Sequence, residues 1–380
     1  MCLLKNFAAF FSLVIILSAC EPFESGPSVT SLELPRTPFQ YNVPGASDNL
    51  VTLGRVLFYD TRLSVNNAIS CASCHKQVLA FSDNVAFSRG FQNKLTLRNS
   101  MPIQNIISDV FADNVIIEED STPVVLPDTV FGYLPGVVPP PAFFRTDTRL
   151  FWDGRETSLE SMVTRPIMDH IEMGMHDLPT LAKKLKTIWE YQHLFTKAFP
   201  DEDNVTPDKI SLGLSAFLLS IRSSNSKVDR ASRGEAKLSA SEEFGQFLFT
   251  QKFGCDGCHA LGGFANIGLD ALSSDPGLSS FTGNPNDAGK FKIPALRNVQ
   301  LTAPYMHDGR FKTLEQVLDH YSSGIKNNPT LDGLLRTEDG KPVRMNMTAA
   351  EKAALISFLN ALTDHTMITD PRFSNPFKQY

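Results

Sequence analysis

"LVTLGRVLFYDTRLSVNNAISCASCH", residues 50–75, decides how this chain folds, because its pattern returns in "SASEEFGQFLFTQKFGCDGCH", residues 239–259. Each stretch ends in C-x-x-C-H: Cys71, Cys74 and His75, then Cys255, Cys258 and His259. Two thiols at this spacing can each add to one vinyl group of the same porphyrin, and the adjacent His then reaches the iron. Zinc would need four ligands close together, and a disulfide leaves the His without a role. A thioredoxin-like site would need a βαβ context that is absent. The expectation is two covalently bound c-type haems.

The repeat extends outward from these motifs. G-x-x-L-F occurs at Gly54–Phe58 and again at Gly245–Phe249. Leu50, Leu53, Gly54, Leu57 and Phe58 follow helical spacing, as do Phe244, Phe247 and Leu248. Ser239-x-x-Glu242 is a capping box for the second helix. Each half also closes on an amphipathic helix. The first starts at Thr206-Pro207 with a stripe of Ile210, Leu214, Phe217, Leu218 and Ile221. The second is capped by Thr348-x-x-Glu351, with Leu355, Phe358, Leu359 and Leu362 on one face. The fold class is therefore all-α, with two cytochrome c-type domains over 47–225 and 226–380. The polar stretch 222–237 fits the linker between them.

The 380 residues carry 41 Asp+Glu against 35 Lys+Arg, a net charge of −6, and no long basic run, so nucleic acid is not an expected partner. Residues 1–19 read as an export signal: one Lys, then a short apolar run ending in small residues. "LSAC" resembles a lipoprotein cleavage box with Cys20 as the lipidated residue. Residues 20–46, rich in Pro, Ser and Gly, read as a tether. The expected location is the periplasmic side, lipid-anchored. Glu21, where an Asp would favour the inner membrane, points to the outer one.

The chain resembles the bacterial di-haem cytochrome c peroxidase family, and more narrowly its MauG-like branch. The resemblance spans about residues 47–365 and rests on "LGRVLFYDTRLS", "LRNS", "FWDGR", "PIMDHIEMGM", "IPALRNVQLTAPYMHDG" and "LEQVLDHY". It implies that the N-terminal haem reacts with hydrogen peroxide, that the C-terminal haem stores electrons, and that a Trp lies between them.

Four residues of "LTAPYMHDGRFKTLEQVLDHYSSG", 301–324, can bind the second iron: Met306, His307, His320 and Tyr321. Thr313-x-x-Gln316 reads as a capping box, which predicts a helix over 314–322. Leu314, Val317, Leu318 and Tyr321 share one face at i, i+3, i+4 and i+7, and His320 lies off it. A Tyr on an apolar face is more often plain core than an iron ligand. The resemblance selects Tyr321, since typical peroxidases have a Met at the matching position and the MauG-like branch a Tyr. Met306 is the alternative. The choice matters, because a thioether raises the potential, whereas a phenolate favours ferric and higher states.

At the first haem, the typical family places a second, blocking His sixteen residues after the proximal one. Phe91 stands there, and no His occurs between His75 and His170. An open iron is thus expected, unless Met162 or His170 caps it. The resemblance assigns Glu172 as the distal acid/base, Pro166 to the distal pocket and Trp152 to the crossing between haems. Met162 replaces a pocket glutamine. The resemblance also implies one calcium ion, held by the Asn99 side chain and the carbonyls of Thr302 and Pro304; oxygen donors suit such a cation. Trp189 reads as core. Residues 112–146, outside the family pattern and rich in Pro, read as an insertion.

The function expected is a di-haem peroxidase that takes hydrogen peroxide as oxidant and oxidises a protein or a small redox partner, with a protein electron donor or protein substrate as its partner. Two alternatives stand beside the MauG-like form. One is an ordinary cytochrome c peroxidase, drawing electrons from a small cytochrome. The other is an electron-transfer cytochrome with no peroxide chemistry.

Overall fold

The computed structural model describes residues 32, 34–35, 38–106, 145–200, 205–259, 263–270 and 274–377. The export signal, Cys20 and the insertion up to residue 144 lie outside the described residues.

The described residues contain twelve α-helices and two small two-stranded antiparallel sheets. The first half contains α1 (Asp48–Tyr59), α2 (Cys71–Cys74), hairpin β1 (Arg145–Leu150)–β2 (Glu156–Ser158), α3 (Leu159–Met168), α4 (Leu178–Lys186), α5 (Trp189–Ala198) and α6 (Pro207–Ser220). The short α7 (Lys227–Ser232) lies in the linker. The second half contains α8 (Ala240–Phe247), α9 (Asp256–His259), β3 (Phe264–Ala265), α10 (Ser279–Thr282), β4 (Phe291–Lys292), α11 (Leu314–Asp319) and α12 (Ala349–Ala361), with β3 and β4 antiparallel. This is the mostly helical architecture the sequence predicts.

The repeated glycines explain the repeated packing. In each half the helix before the haem motif crosses the closing helix, and the contact point is the Gly of G-x-x-L-F. A Cβ on Gly54 would stand 1.8 Å from the Gly213 carbonyl oxygen of α6, and one on Gly245 would stand 2.0 Å from the Ala354 carbonyl oxygen of α12. Only a hydrogen in place of a side chain lets the helices approach this closely. The predicted caps form: Thr206 accepts from Lys209 N–H, while Ser239 with Glu242 and Thr348 with Glu351 make reciprocal boxes.

Two expectations about burial fail. Phe244 and Phe247 are about half exposed and stack on each other; only Leu248 of that stripe is buried. The buried face of α8 centres on Gly245, so the residues flanking it turn outward. Trp189 is 70% exposed rather than core. It opens α5, whose inner face is Tyr191, Leu194 and Phe195.

The first half has one large core, built by α1, α3, α4, α5 and α6. The second has three small clusters instead, since much of its apolar wall faces a cavity. The C-terminal tail leaves the second bundle: Met367, Phe373 and Phe377 are buried in the first core. A division at residue 226 thus separates the helices but not the packing.

Candidate active site

The first C-x-x-C-H motif forms a single turn, α2, capped at Ser70 with Ser73. His75 Nδ1–H donates to the Phe81 carbonyl at 2.9 Å. A carbonyl can only accept, so the proton sits on Nδ1 and Nε2 keeps its lone pair. Burial holds the imidazole below its ordinary pKa, which keeps it neutral. Cys71, Cys74 and His75 line a cavity of about 1100 Å³.

The opposite wall comes from α3 and the loop after it. Met162 and Pro166, one turn apart on α3, line the cavity together with Glu172. The loop is tied by one side chain: Asp169 Oδ1 accepts from the N–H groups of Ile171 (2.7 Å) and Glu172 (3.2 Å). Crowding by protein atoms, then the charge of Asp169, push the Glu172 carboxyl up to about 7, against the lowering effect of Arg155. A carboxyl there can both take and give a proton near neutral pH. Asp169 and Arg155 lie in "PIMDHIEMGM" and "FWDGR", but nothing in those stretches singles them out for this role.

Phe91 does not line this cavity. Its N–H donates to the Glu172 carbonyl at 2.8 Å, and its ring lies against Gly174 (φ +68°). Gly90 fits where a Cβ would meet the Ile171 carbonyl oxygen at 2.2 Å. The segment therefore braces the Glu172 loop from behind. Met162 is buried along the cavity, and His170 is exposed at its rim.

The second motif repeats the first. His259 Nδ1–H donates to the Pro294 carbonyl at 3.0 Å, and burial again keeps the ring neutral. Cys255, Cys258 and His259 line a second cavity, mostly apolar. Leu314, Val317, Leu318 and Tyr321 all line it, as their shared face predicts. The predicted helix over 314–322 differs in one respect. It is α-helical over Leu314–Asp319 and widens to a π-turn over His320–Gly324. The predicted capping box is half made: Thr313 accepts from Gln316 N–H, but Gln316 Oε1 accepts from Lys312 N–H.

Of the four candidate ligands, His320 is turned away, its Nε2 on the Ile267 carbonyl at 2.9 Å, and it does not line the cavity. His307 lines the cavity but lies flat on the Phe291 ring at 3.6 Å. Met306 lines it with φ +75°. Tyr321 lines it with no hydrogen-bond partner for its hydroxyl among the described residues. Burial, and next the two motif thiols, raise its pKa.

Trp152 lines both cavities. Its indole N–H donates to the Asn99 carbonyl at 2.9 Å. Asn99, Thr302 and Pro304 all line the second cavity. Asn99 Nδ2 donates to the Val85 carbonyl at 3.0 Å, a bond in which Oδ1 takes no part.

These observations fit two covalent haems. Four free thiols stand at cavity walls, none in a disulfide, and each motif His presents one unprotonated nitrogen in a site that protein atoms leave open.

Comparison with known proteins agrees. A family model described as "Di-haem cytochrome c peroxidase" matches residues 48–237. The methylamine utilization protein MauG of Methylorubrum extorquens is 31% identical over 320 residues, covering 82% of this chain and 77% of that protein. Cytochrome-c peroxidase IdrP1 of a Pseudomonas species is 28% identical, covering 87% of this chain and 84% of its own. Among solved structures, a MauG-like protein associated with microbial copper homeostasis superposes with a TM-score of 0.71 at 30% identity, covering 90% of this chain and 98% of that one.

Proposed function

From the premise that the chain belongs to the di-haem cytochrome c peroxidase family, we propose that it is a MauG-like peroxidase whose second haem is ligated by His259 and Tyr321. The family is one of oxidoreductases that carry two c-type haems. When bound, the two irons supply the redox chemistry by which peroxide is reduced to water and the oxidising equivalents are held until a reductant returns the electrons.

The chain's residues do the rest. Cys71, Cys74, Cys255 and Cys258 hold the two groups by thioether bonds. Phe81 and Pro294 orient the proximal histidines through their carbonyls. Glu172 takes the proton from the near oxygen of hydrogen peroxide and delivers it to the departing one. Pro166 and Met162 keep that wall apolar, with the thioether of Met162 where relatives present an amide. Trp152, held by Asn99, is the step between cavities. Tyr321 offers the second iron a phenolate, an anionic donor that favours its higher oxidation states. Asn99, Thr302 and Pro304 hold a calcium ion that fixes the indole from behind. Cys20 anchors the protein by lipid on the periplasmic side, at the outer membrane, and the electrons come from a protein partner or protein substrate.

One observation carries this reading. Phe91, at the position of the blocking ligand, is packed behind the Glu172 loop and not in the first cavity. The ordinary-peroxidase reading has one observation of its own: Met306 also lines the second cavity, in a backbone conformation rare for such a residue. The test is to add one equivalent of hydrogen peroxide to the fully ferric, haem-loaded protein and follow the haem bands. Rapid change without prior reduction is expected. A change only after one haem is reduced would establish the ordinary peroxidase, and inertness in both states an electron carrier.

A further inference from the structure

The wall shared by the two cavities is made by Asn99, Pro102, Trp152, Lys292, Pro294 and Ala295. Lys292 is the only one of the six with an ionisable side chain. It sits in β4 opposite Phe264 of β3. Its main-chain N–H donates to the Trp152 carbonyl at 2.8 Å, and its Nζ donates to the Arg149 carbonyl at 2.9 Å. Both ends of the residue therefore grip the β1–β2 hairpin that carries the indole.

Its charge has no counter-charge: the Nζ lies over the Phe264 ring, 6.0 Å from the centroid, which offers a weak cation–π contact and no anion. Three arginines also line the first cavity, and each has an acid: Arg98 has Asp153 and Asp275, Arg155 has Asp153, and Arg165 has Glu156. No described carboxylate pairs with Lys292. An ammonium has three donors, and one carbonyl takes one of them. Burial holds its pKa down to about 8, so the side chain is still mainly charged at neutral pH. A cation withdrawn from water without an anion is costly. Here it is placed where two sites for a group bearing carboxylate side arms meet.

We propose that Lys292 is a haem-binding residue whose ammonium pairs with a propionate carboxylate at the crossing, and whose charge helps set the reduction equilibrium of the haem it touches. The proposal rests on the two-haem reading but not on peroxide chemistry, so either can fail alone. A nearby positive charge favours the ferrous form. At about 10 Å and an effective dielectric near 20, one unit charge changes the ratio of reduced to oxidised haem roughly tenfold.

The experiment is an anaerobic optical redox titration of the holoprotein, with both haems attached, in wild type, K292Q and K292R. In K292Q at least one haem is expected to show a reduced-to-oxidised ratio about tenfold lower at a fixed ambient potential. K292R, which keeps the charge, is expected to stay within about twofold of wild type. Identical titrations of wild type and K292Q would overturn the proposal. So would a K292R shift as large as that of K292Q, because the residue would then act by shape alone. If K292Q does not take up both haems, K292M, which retains the apolar stem, is titrated in its place. The resonance Raman propionate-bending band of wild type is then compared with that of K292M, and an unchanged band equally counts against the pairing.

Discussion

Glu172 owes its pKa to a short loop, and that loop fixes the pH profile expected of the reaction. A carboxyl pushed up to about 7 is mostly protonated at pH 6 and mostly ionised at pH 8, and only the carboxylate can accept the proton of peroxide. The rate with hydrogen peroxide should therefore rise with pH through about 7 and then level off. Glu172→Gln should slow it about 10²–10⁴-fold and leave a flat profile, as stopped-flow spectra across pH 5–9 would show. An unchanged profile would remove Glu172 from the chemistry. Tyr321 makes a separate prediction. Tyr321→Met exchanges a phenolate for a thioether and should raise the potential of the second haem, measured by redox titration. If Met306 is the ligand instead, that potential should hardly move. The cysteines and histidines of the site are legible in the sequence because covalent attachment demands a fixed spacing. Lys292 is not: nothing in "GKFKIPAL" distinguishes a lysine between two cavities from one on a wet strand.

The elements were legible where local chemistry specifies them, as at the three predicted N-caps and at α11. They were not legible where packing decides. The exposure of Phe244, Phe247 and Trp189 follows from which side of each helix meets a neighbour, and apolar spacing alone does not report that. The π-turn at His320–Gly324 likewise leaves no sequence mark, yet Tyr321 still reaches the cavity it lines. The repeated glycine does carry a readable meaning once the crossing is seen. Gly54→Ala should destabilise the protein by about 3 kcal/mol or fail to fold, since the new methyl would stand 1.8 Å from the Gly213 carbonyl oxygen. Gly213→Ala, on the facing helix, is the control. Its Cβ would meet Leu53 and Leu57 at 3.4 Å, so its stability should stay within about 1 kcal/mol of wild type, helped by the better helix propensity of Ala. Chemical denaturation of the two holoproteins distinguishes them, and equal losses would deny that the backbone contact at Gly54 sets the approach.

At the scale of the molecule, the two halves are stitched by more than the linker. Arg98 of the first half reaches Asp275 of the second at 2.8 Å, Asn99 N–H donates to the His307 carbonyl at 2.7 Å, and Gln104 Nε2 donates to the Arg297 carbonyl at 3.0 Å. The tail then returns. Asp364 marks the turning point: its Oδ2 accepts from Ser224 and Asn225 N–H in the linker, and its Oδ1 accepts from Met367 N–H. Beyond it, Tyr59 Oη donates to the Phe373 carbonyl at 2.6 Å, Arg55 Nε donates to the Ser374 carbonyl at 2.7 Å, and Gln77 Nε2, just past the first haem motif, donates to the Asp370 carbonyl at 2.9 Å. Cutting the chain after His365 would uncover Tyr59 and take from Arg55, 4% exposed in the intact chain, the Ser374 carbonyl and hydroxyl that its guanidinium bonds. The truncated holoprotein should therefore lose stability in its first half, although the deleted residues follow the second in sequence. Phe373→Ala is the milder form of the same test, and burial of that ring sets an expected loss of about 3–5 kcal/mol. The measurement is thermal unfolding followed at both haems. An early transition at the first haem is expected in both variants. A transition confined to the second haem would mean that the tail belongs, energetically, to the bundle that precedes it.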